Sequence, residues 1–201
     1  MSHDARGAKQ PHRFDPKKAA MLDDPARFEY LPPAEIEALI DVPPGALVAD
    51  FGTGTGLYAL ELAKHRPDIS VAAIDEQDQM LGFLRAKLAA SPTPNVRAVL
   101  SGTPEALALA GRVDRVLALN VLHELGDDAL SGIASLLRPE GRALFIDWNA
   151  SVERPFGPPQ DHVYSSAEAR ERLGSVGWTV GREKSFRYHY ALVAGPSRLR
   201  P

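Results

Sequence analysis

Three glycines that alternate with other residues follow an acidic side chain early in the sequence. Gly52, Gly54 and Gly56 come after Asp50, and a short apolar run precedes them. Glycine lacks a Cβ atom, so its backbone can take a positive φ and a ligand can approach it closely. A helical pattern begins at Leu57, and its first turn would direct free N–H groups at that ligand. A strand, a glycine loop and a helix in this order predict the opening unit of a nucleotide-binding α/β domain.

The spacing of the glycines distinguishes two kinds of nucleotide ligand. The dinucleotide fingerprint is G-x-G-x-x-G, but here the third glycine comes one residue early, and Leu57 stands where the last glycine is required. A pyrophosphate would also be repelled by Asp50, because both are anionic. The loop therefore disfavours a dinucleotide.

A second acid, Asp75, ends the next apolar run about 20 residues beyond the glycines, which is where nucleotide-binding βαβ units place a ribose-binding acid. A carboxylate can accept hydrogen bonds from both hydroxyls of a ribose. The alternative is an acid that ends a strand and contacts only water. The position favours ribose binding.

Other polar and aromatic side chains follow later strands, where open α/β sheets bind their ligands. His123 can titrate near neutral pH, so it is our candidate general base, with His12 or His162 as substitutes. The alternative for His123 is a histidine that is satisfied within a polar turn, and we expect Glu124 to face solvent. The candidate substrate contacts are Phe14, Tyr30, His123, Trp148 and His162.

Five βα units followed by a hairpin are predicted from the hydrophobic periodicity. They indicate an α/β fold of the doubly wound, Rossmann-like type, with a mostly parallel seven-stranded sheet, one antiparallel strand from the C-terminal hairpin and an N-terminal helical arm. Residues 136–141 are predicted to form the turn before the fifth strand. The predicted strands are 46–51, 69–75, 96–100, 113–120, 142–147, 178–184 and 188–194, and the main helices are 57–64, 78–89, 104–110, 127–137 and 165–173.

Several of these segments together resemble the class I S-adenosylmethionine (SAM)-dependent methyltransferases. Asp50 to Gly56 matches their [D/E]-x-G-x-G-x-G motif, and Asp75 to Leu81 looks like their D-x-S-x-x-M-L segment. Ser101 to Glu105 stands where an adenine-contacting G-D-A-E is common, although Thr103 replaces the aspartate. Leu137 to Arg142 is similar to their L-K-P-G-G-x turn. The resemblance covers residues 30–195 and is nearest to the C-methyltransferases of ubiquinone and menaquinone biosynthesis.

The resemblance implies SAM as the cofactor and methyl transfer by in-line displacement. We expect Asp50 to attract the cationic amino-acid end of SAM and Asp75 to bind the ribose. Met80 with Val121 or Leu122 should enclose the adenine. The implied cofactor-binding residues are Asp50, Gly52, Thr53, Gly54, Gly56, Asp75, Glu76, Met80, Gly102, Thr103, Asn120 and Val121.

The division of the chain follows from the same resemblance. Residues 1–40 are expected to form an arm, 41–195 the SAM-binding domain and 196–201 a tail. The arm is too small for its own core, so it should lie across the domain, either as a surface strap or as a lid that excludes water. We favour the lid.

The composition of the chain limits the classes of molecule that could accept the methyl group. The 201 residues carry a net charge of −3 and no cysteine, so there is no basic field for nucleic acid and no disulfide, thiolate metal site or cysteine nucleophile. The fourth strand is followed by Asn120-Val121-Leu122, not by the N-P-P-[YF] of adenine-N6 and glutamine methyltransferases. We therefore expect a cytoplasmic enzyme with a small-molecule acceptor, no nucleic-acid partner, no membrane span and no metal.

Two other functions stay open. A NAD(P)-dependent oxidoreductase is disfavoured by Leu57 and by the absence of a Tyr-x-x-x-Lys pair. A SAM-binding protein without transferase activity would keep both Asp50 and Asp75, so the sequence does not separate it from an enzyme.

The ribose assignment predicts that Asp75→Ala weakens SAM binding about tenfold or more, or ~1.4 kcal/mol, because charge-assisted hydrogen bonds are lost. Isothermal titration calorimetry measures this change, with NADH as the ligand that should not bind. An unchanged SAM affinity in the variant would contradict the assignment.

Overall fold

The computed structural model describes residue 9 and residues 14–197, and His12 and most of the expected tail lie outside this part. Its strands are β1 (Leu47–Phe51), β2 (Ser70–Asp75), β3 (Val96–Leu100), β4 (Val113–Leu119), β5 (Leu137–Trp148), β6 (Trp178–Ser185) and β7 (His189–Pro196). Its α-helices are α1 (Arg27–Tyr30), α2 (Pro33–Ile40), α3 (Leu57–His65), α4 (Asp78–Ala90), α5 (Pro104–Leu107), α6 (Asp127–Leu136) and α7 (Ser166–Ser175). Short 3₁₀ helices span Pro16–Asp23, Leu122–Glu124 and Gln160–His162.

The seven strands form one sheet in the order β3-β2-β1-β4-β5-β7-β6. The first five strands pair in parallel, and β7 runs antiparallel to both of its neighbours. The predicted α/β fold, with its mostly parallel sheet and its single reversed strand, is confirmed. The strand order reverses beside β1, so a crevice opens between the carboxyl ends of β1 and β4, where such sheets bind ligands.

Both faces of the sheet are covered, which explains the nearly continuous apolar runs of the inner strands. Val48 and Ala49 are successive residues of β1, so they point to opposite faces and belong to different hydrophobic clusters. One cluster includes Leu130 of α6 and Leu173 of α7, and the other includes Leu84 of α4. The carboxyl edge of the sheet is thereby held rigidly between two packed layers.

The segment before the fifth strand differs from its prediction. We expected a turn at residues 136–141, but β5 already begins at Leu137, which pairs with Val113. The next pair is Arg142 with Arg115, so residues 138–141 bulge out within the strand. The bulge is tight, because a Cβ added to Gly141 would lie 3.0 Å from the carbonyl oxygen of Arg138. Turn residues can thus interrupt a strand without ending its ladder.

The N-terminal arm packs on the sheet domain through α2 and through Leu31, the residue after α1. Leu31, Ile36 and Ile40 are buried in the same cluster as the core of α3 and α4. The hydroxyl of Tyr58 in α3 donates a hydrogen bond to the carbonyl of Leu31 at 3.1 Å. The described helices include none that is both long and apolar enough to cross a bilayer.

The glycine before α3 is required by its backbone and by its surroundings. Gly56 has φ +80°, and an added Cβ would lie 2.5 Å from a terminal methyl of the buried Leu84. Gly56→Ala combines left-handed strain with overpacking, so we expect it to lower the free energy of unfolding by roughly 2–4 kcal/mol. Urea denaturation followed by circular dichroism measures the change.

Gly82 is the matched control, because it lies exposed inside α4 with nothing within 4 Å of an added Cβ. Gly82→Ala should raise the free energy of unfolding by about 0.5–1 kcal/mol, since alanine loses less backbone entropy in a helix. Equal effects of the two substitutions would contradict the assigned role of Gly56.

Candidate active site

The loop between β1 and α3 is tied to the neighbouring strand by its backbone. The N–H groups of Gly52 and Thr53 both donate to the carbonyl of Ile74, at 2.9 and 3.0 Å. Asp50, which is 3% exposed, accepts a hydrogen bond of 2.6 Å from the hydroxyl of Thr53. A Cβ on Gly52 would lie 2.7 Å from the side chain of Val121, so the loop and the segment after β4 approach each other closely.

The carboxylate of Asp75 connects the end of β2 to this loop. One oxygen accepts from the N–H of Gly54 at 2.8 Å, and the other accepts from the N–H of Gln77 at 2.9 Å. A carboxylate oxygen has two lone pairs, so each can accept a further hydrogen bond from a ribose hydroxyl. The side chain is thus held in one orientation and keeps acceptor capacity toward the crevice.

A cavity of about 460 Å³ lies over the carboxyl ends of β1, β2 and β4. Ten of the twelve residues expected to bind the cofactor line it: Asp50, Gly52, Thr53, Gly54, Asp75, Glu76, Met80, Gly102, Asn120 and Val121. Gly56 packs against Leu84 behind the loop instead. Thr103 caps α5, where its hydroxyl donates to the carbonyl of Leu100 at 2.7 Å and accepts from the N–H of Ala106 at 3.4 Å.

The cavity wall is acidic. Burial raises the pKa of Asp50 to about 6, and the charge of Asp75 adds to this effect, while the hydrogen bond from Thr53 opposes it. Burial likewise raises the pKa of Asp75. The carboxylates that line the cavity are Asp50, Asp75, Glu76, Glu124 and Asp128, and among the lining residues of the described chain Arg27 is the one cation.

Arg27 and Asn120 have structural features that the sequence did not reveal. The guanidinium of Arg27 lies 5.3 Å from the centre of the Tyr58 ring and donates to the carbonyl of Leu22 at 2.9 Å. Asn120 has φ +58°, and its Oδ1 has no hydrogen-bond partner within the described part of the chain. Neither property follows from a motif, because one depends on how the arm folds back and the other on a single left-handed residue.

His123 and Glu124, in the 3₁₀ helix Leu122–Glu124, lie the opposite way from the prediction: Glu124 faces the cavity and His123 does not. His123 is buried and does not line the cavity, whereas Glu124, expected to face solvent, lines it with 25% of its side chain exposed. Asp147 at the end of β5 accepts from the backbone N–H of His123 at 2.8 Å and contacts its Nδ1 at 2.8 Å. Nε2 of His123 lies 3.7 Å from Oε1 of Glu124. Asp147, His123 and Glu124 therefore form a row that ends at the cavity.

Burial and charge together set the pKa values of His123 and Glu124 in this row. Burial lowers the pKa of His123, but the charge of Asp147 and its hydrogen bond outweigh burial, so the pKa lies above its ordinary value. Burial raises the pKa of Glu124 to about 7, and His123 opposes that rise. Asp147 thus favours the charged form of the imidazole, and beside it lies a carboxyl group whose pKa is raised to about 7.

The remaining candidate substrate contacts lie in three separate places. Phe14 lines the cavity, and its carbonyl accepts a hydrogen bond from the side chain of Gln77 at 3.1 Å. Tyr30 and Trp148 instead belong to an aromatic cluster beside the cavity, packed with Phe156, Tyr188 and His189. His162 lies in the 3₁₀ helix Gln160–His162 and does not line the cavity.

The arm contacts the glycine loop directly. Asp23 accepts from the hydroxyl of Thr55 at 2.5 Å and pairs with Lys87 of α4 at 2.5 Å. A Cβ on Gly54 would lie 3.1 Å from the side chain of Leu22. The 3₁₀ helix Pro16–Asp23 therefore covers one side of the cavity, the position that the expected lid requires.

The chain is similar to known proteins in both sequence and structure. The family model described as "Methyltransferase domain" matches residues 48–141. A solved SAM-dependent methyltransferase from Aquifex aeolicus superposes with a TM-score of 0.82 at 30% identity, over 90% of this chain and 98% of that one.

Curated relatives are methyltransferases with three kinds of name. A release factor glutamine methyltransferase of Mycolicibacterium smegmatis is 31% identical over 44% of this chain and 34% of its own length. A ribosomal RNA small subunit methyltransferase G of Moorella thermoacetica is 38% identical over 25% of this chain and 21% of its own length. The chloroplastic magnesium protoporphyrin IX methyltransferase of Arabidopsis thaliana is 26% identical over 69% of this chain and 48% of its own length. The chain thus spans between about a fifth and about half of these relatives.

We expect SAM to bind more weakly as the pH falls below about 6. Asp50 has a pKa of about 6 in the free protein because it is buried, so below that pH it is increasingly protonated and loses its attraction for the ammonium group of SAM. Binding of a cation lowers this pKa, so the affinity should fall by up to about tenfold for each pH unit until the pKa of the complex is reached. Calorimetry at several pH values measures the slope.

Asp50→Asn provides the control for this titration. The variant should bind SAM weakly, and its plot of log affinity against pH should lose the slope of one proton. Asp75 remains in the variant and can leave a smaller slope of the same sign, because its pKa is also raised. A slope that is unchanged by the substitution would contradict the role given to Asp50.

Proposed function

Because the chain belongs to the SAM-dependent methyltransferases, we propose that it transfers the methyl group of SAM to a small molecule that is uncharged or cationic. The charge of the cavity carries this proposal. Five carboxylates line the cavity against one guanidinium among the described residues. A carboxylate-lined cavity attracts cations and neutral hydrogen-bond donors and repels anions.

The residues of the cavity fit the cofactor. A sulfonium cofactor has no phosphate and carries a cationic amino-acid end, a ribose and an adenine. Asp50 suits the ammonium group, Asp75 suits the ribose hydroxyls, and Arg27 is available for the carboxylate of the same zwitterion. Met80 and Val121 offer apolar surface for the adenine. SAM supplies an electrophilic methyl group on a cationic sulfur, and it leaves as a neutral thioether.

Positioning is the main catalytic contribution that we assign to the protein. An in-line displacement needs the acceptor atom, the methyl carbon and the sulfur near one line, and holding reactants in this way removes much of the entropic barrier. The glycine loop is fixed to Ile74 and to Asp75 by backbone hydrogen bonds, so its position does not depend on flexible side chains. The arm excludes water from one side.

Nucleic acid is disfavoured as the acceptor, although two curated relatives are named for ribosomal RNA. Binding of RNA depends on neutralising phosphates with lysine and arginine. The wall around this cavity is negatively charged, as phosphates are, and the chain has a net charge of −3. A protein glutamine is also disfavoured, because Val121 and Leu122 occupy the positions of the two prolines in the motif of those enzymes.

Methyl acceptance by mixed metabolites tests the proposal. The purified protein is incubated with isotope-labelled SAM and with fractions of a metabolite extract, and S-adenosylhomocysteine release is measured. We expect labelled product in fractions of neutral or cationic small molecules. Parallel reactions contain small ribosomal subunits and a release factor.

Labelling confined to RNA or to the release factor would refute the acceptor class while leaving the enzyme class intact. SAM binding without methyl transfer to any fraction would instead favour a SAM-binding protein without transferase activity. Asp50→Asn is the blank, because its weak SAM binding should abolish labelling.

A further inference from the structure

The carboxyl group of Glu124 lies in the wall of the cavity that we assign to the cofactor. Glu124 lines the same cavity as Asp50 and Asn120, and it follows β4, whose carboxyl end borders the glycine loop. Asp50 and Asp75, by contrast, are committed to the loop by hydrogen bonds from Thr53, Gly54 and Gln77. The contact of Glu124 with His123, at 3.7 Å, is longer than a hydrogen bond. Its carboxyl group therefore retains capacity to exchange a proton.

The support behind Glu124 is rigid. Asp147 is fully buried, and it accepts hydrogen bonds from the backbone N–H groups of His123 and Trp148, each at 2.8 Å. The same carboxylate fixes Nδ1 of His123, so Nε2 is the nitrogen directed at Glu124. An imidazole held at one nitrogen by a buried carboxylate has a fixed orientation.

We propose that Glu124 is the catalytic base that takes the proton from the methyl acceptor, and that His123 and Asp147 are positioning residues for it. This inference rests on the proposed function. A lone pair of the acceptor atom forms the new bond to the methyl carbon, and the electron pair of the carbon–sulfur bond stays on sulfur. The proton that leaves the acceptor atom passes to an oxygen of Glu124 and then to solvent.

The charges around Glu124 suit it to this task. Burial, opposed by the charge of His123 and aided by the charges of Asp147, Glu76 and Asp75, raises the pKa of its carboxyl group to about 7. Asp128 of α6 also lines the cavity. The charge of Arg154, in the loop after β5, lowers the pKa of His123. A base with a pKa near the working pH combines a large ionised fraction with useful basicity.

A base at Glu124 also limits the chemical class of the methyl acceptor. A base is needed only where the methylated atom arrives with a proton that must leave, as in a hydroxyl or an amine. An acceptor carboxylate needs no base and would be repelled by Glu124. We therefore assign the acceptor to the alcohols, phenols, amines and activated carbon acids rather than to carboxylates.

The first test is spectroscopic and needs no acceptor. Protein labelled with ¹³C at the glutamate carboxyl carbon is titrated by NMR with S-adenosylhomocysteine bound, and Glu124→Gln assigns the resonance. We expect a midpoint near pH 7 that moves upward in His123→Gln, because the variant removes the imidazole whose charge lowers the pKa of Glu124. A midpoint in the ordinary range of glutamate, or one that His123→Gln leaves in place, would overturn the proposal.

The second test uses an acceptor identified by the metabolite screen. Glu124→Gln should keep SAM affinity within about twofold and lose turnover by roughly 10²–10⁴-fold, the usual contribution of a general base. In the unmodified protein kcat/KM should rise with pH through the midpoint found by NMR, and the rise should disappear in Glu124→Gln. The exposed Glu171→Gln on α7 is the matched control and should change neither quantity.

The outcomes separate the two proposals. Full turnover in Glu124→Gln would overturn the role of Glu124 while methyl transfer itself stands. Absence of methyl transfer in the unmodified protein would refute the proposed function, and the NMR midpoint would still decide whether Glu124 is built to titrate near neutrality.

Discussion

The hydrogen bonds of Asp75 are the contacts on which the site depends. This carboxylate lies at the end of β2, yet it accepts from the N–H of Gly54 in the loop after β1 and from that of Gln77 before α4. A buried charge is tolerated in a folded protein when donors of this kind surround it. The bonds fix the glycine loop relative to two strands and leave further lone pairs open to the cavity. One side chain thus shapes the cofactor site and contributes to its binding surface.

The acidic wall is unfavourable in the absence of a ligand. Burial raises the pKa of Asp50 and of Asp75, and repulsion by Asp75 adds to the first shift and repulsion by Glu76 to the second, which means that folding destabilises their ionised forms. A cationic cofactor relieves that repulsion, so part of its binding energy comes from charges that the free protein holds at a cost. Strain of this kind is concentrated at functional sites. It also explains why a sulfonium suits this loop while a pyrophosphate does not.

Periodicity and glycine spacing were sufficient to predict most of the fold. The bounds of β3 were predicted without error, and the ends of β1 and β2 placed Asp50 and Asp75 correctly at the carboxyl edge. The bulge at residues 138–141 was predicted as a turn, because glycine and proline residues occur both in turns and in bulged strands. Sequence periodicity does not report whether a ladder resumes across such a segment.

Side-chain direction after β4 could not be predicted in the same way. His123 and Glu124 are neighbours in a 3₁₀ helix, and which of them faces the cavity is decided by the left-handed backbone of Asn120 and by the buried carboxylate of Asp147. A histidine in such a turn is attractive as a base, since its ordinary pKa is near neutral. Asp147 draws it away from the cavity, and burial then brings the carboxyl group beside it into the same range of pH. The proton-accepting position is therefore set by tertiary contacts between two strand ends, and the residue type at either position alone does not identify it.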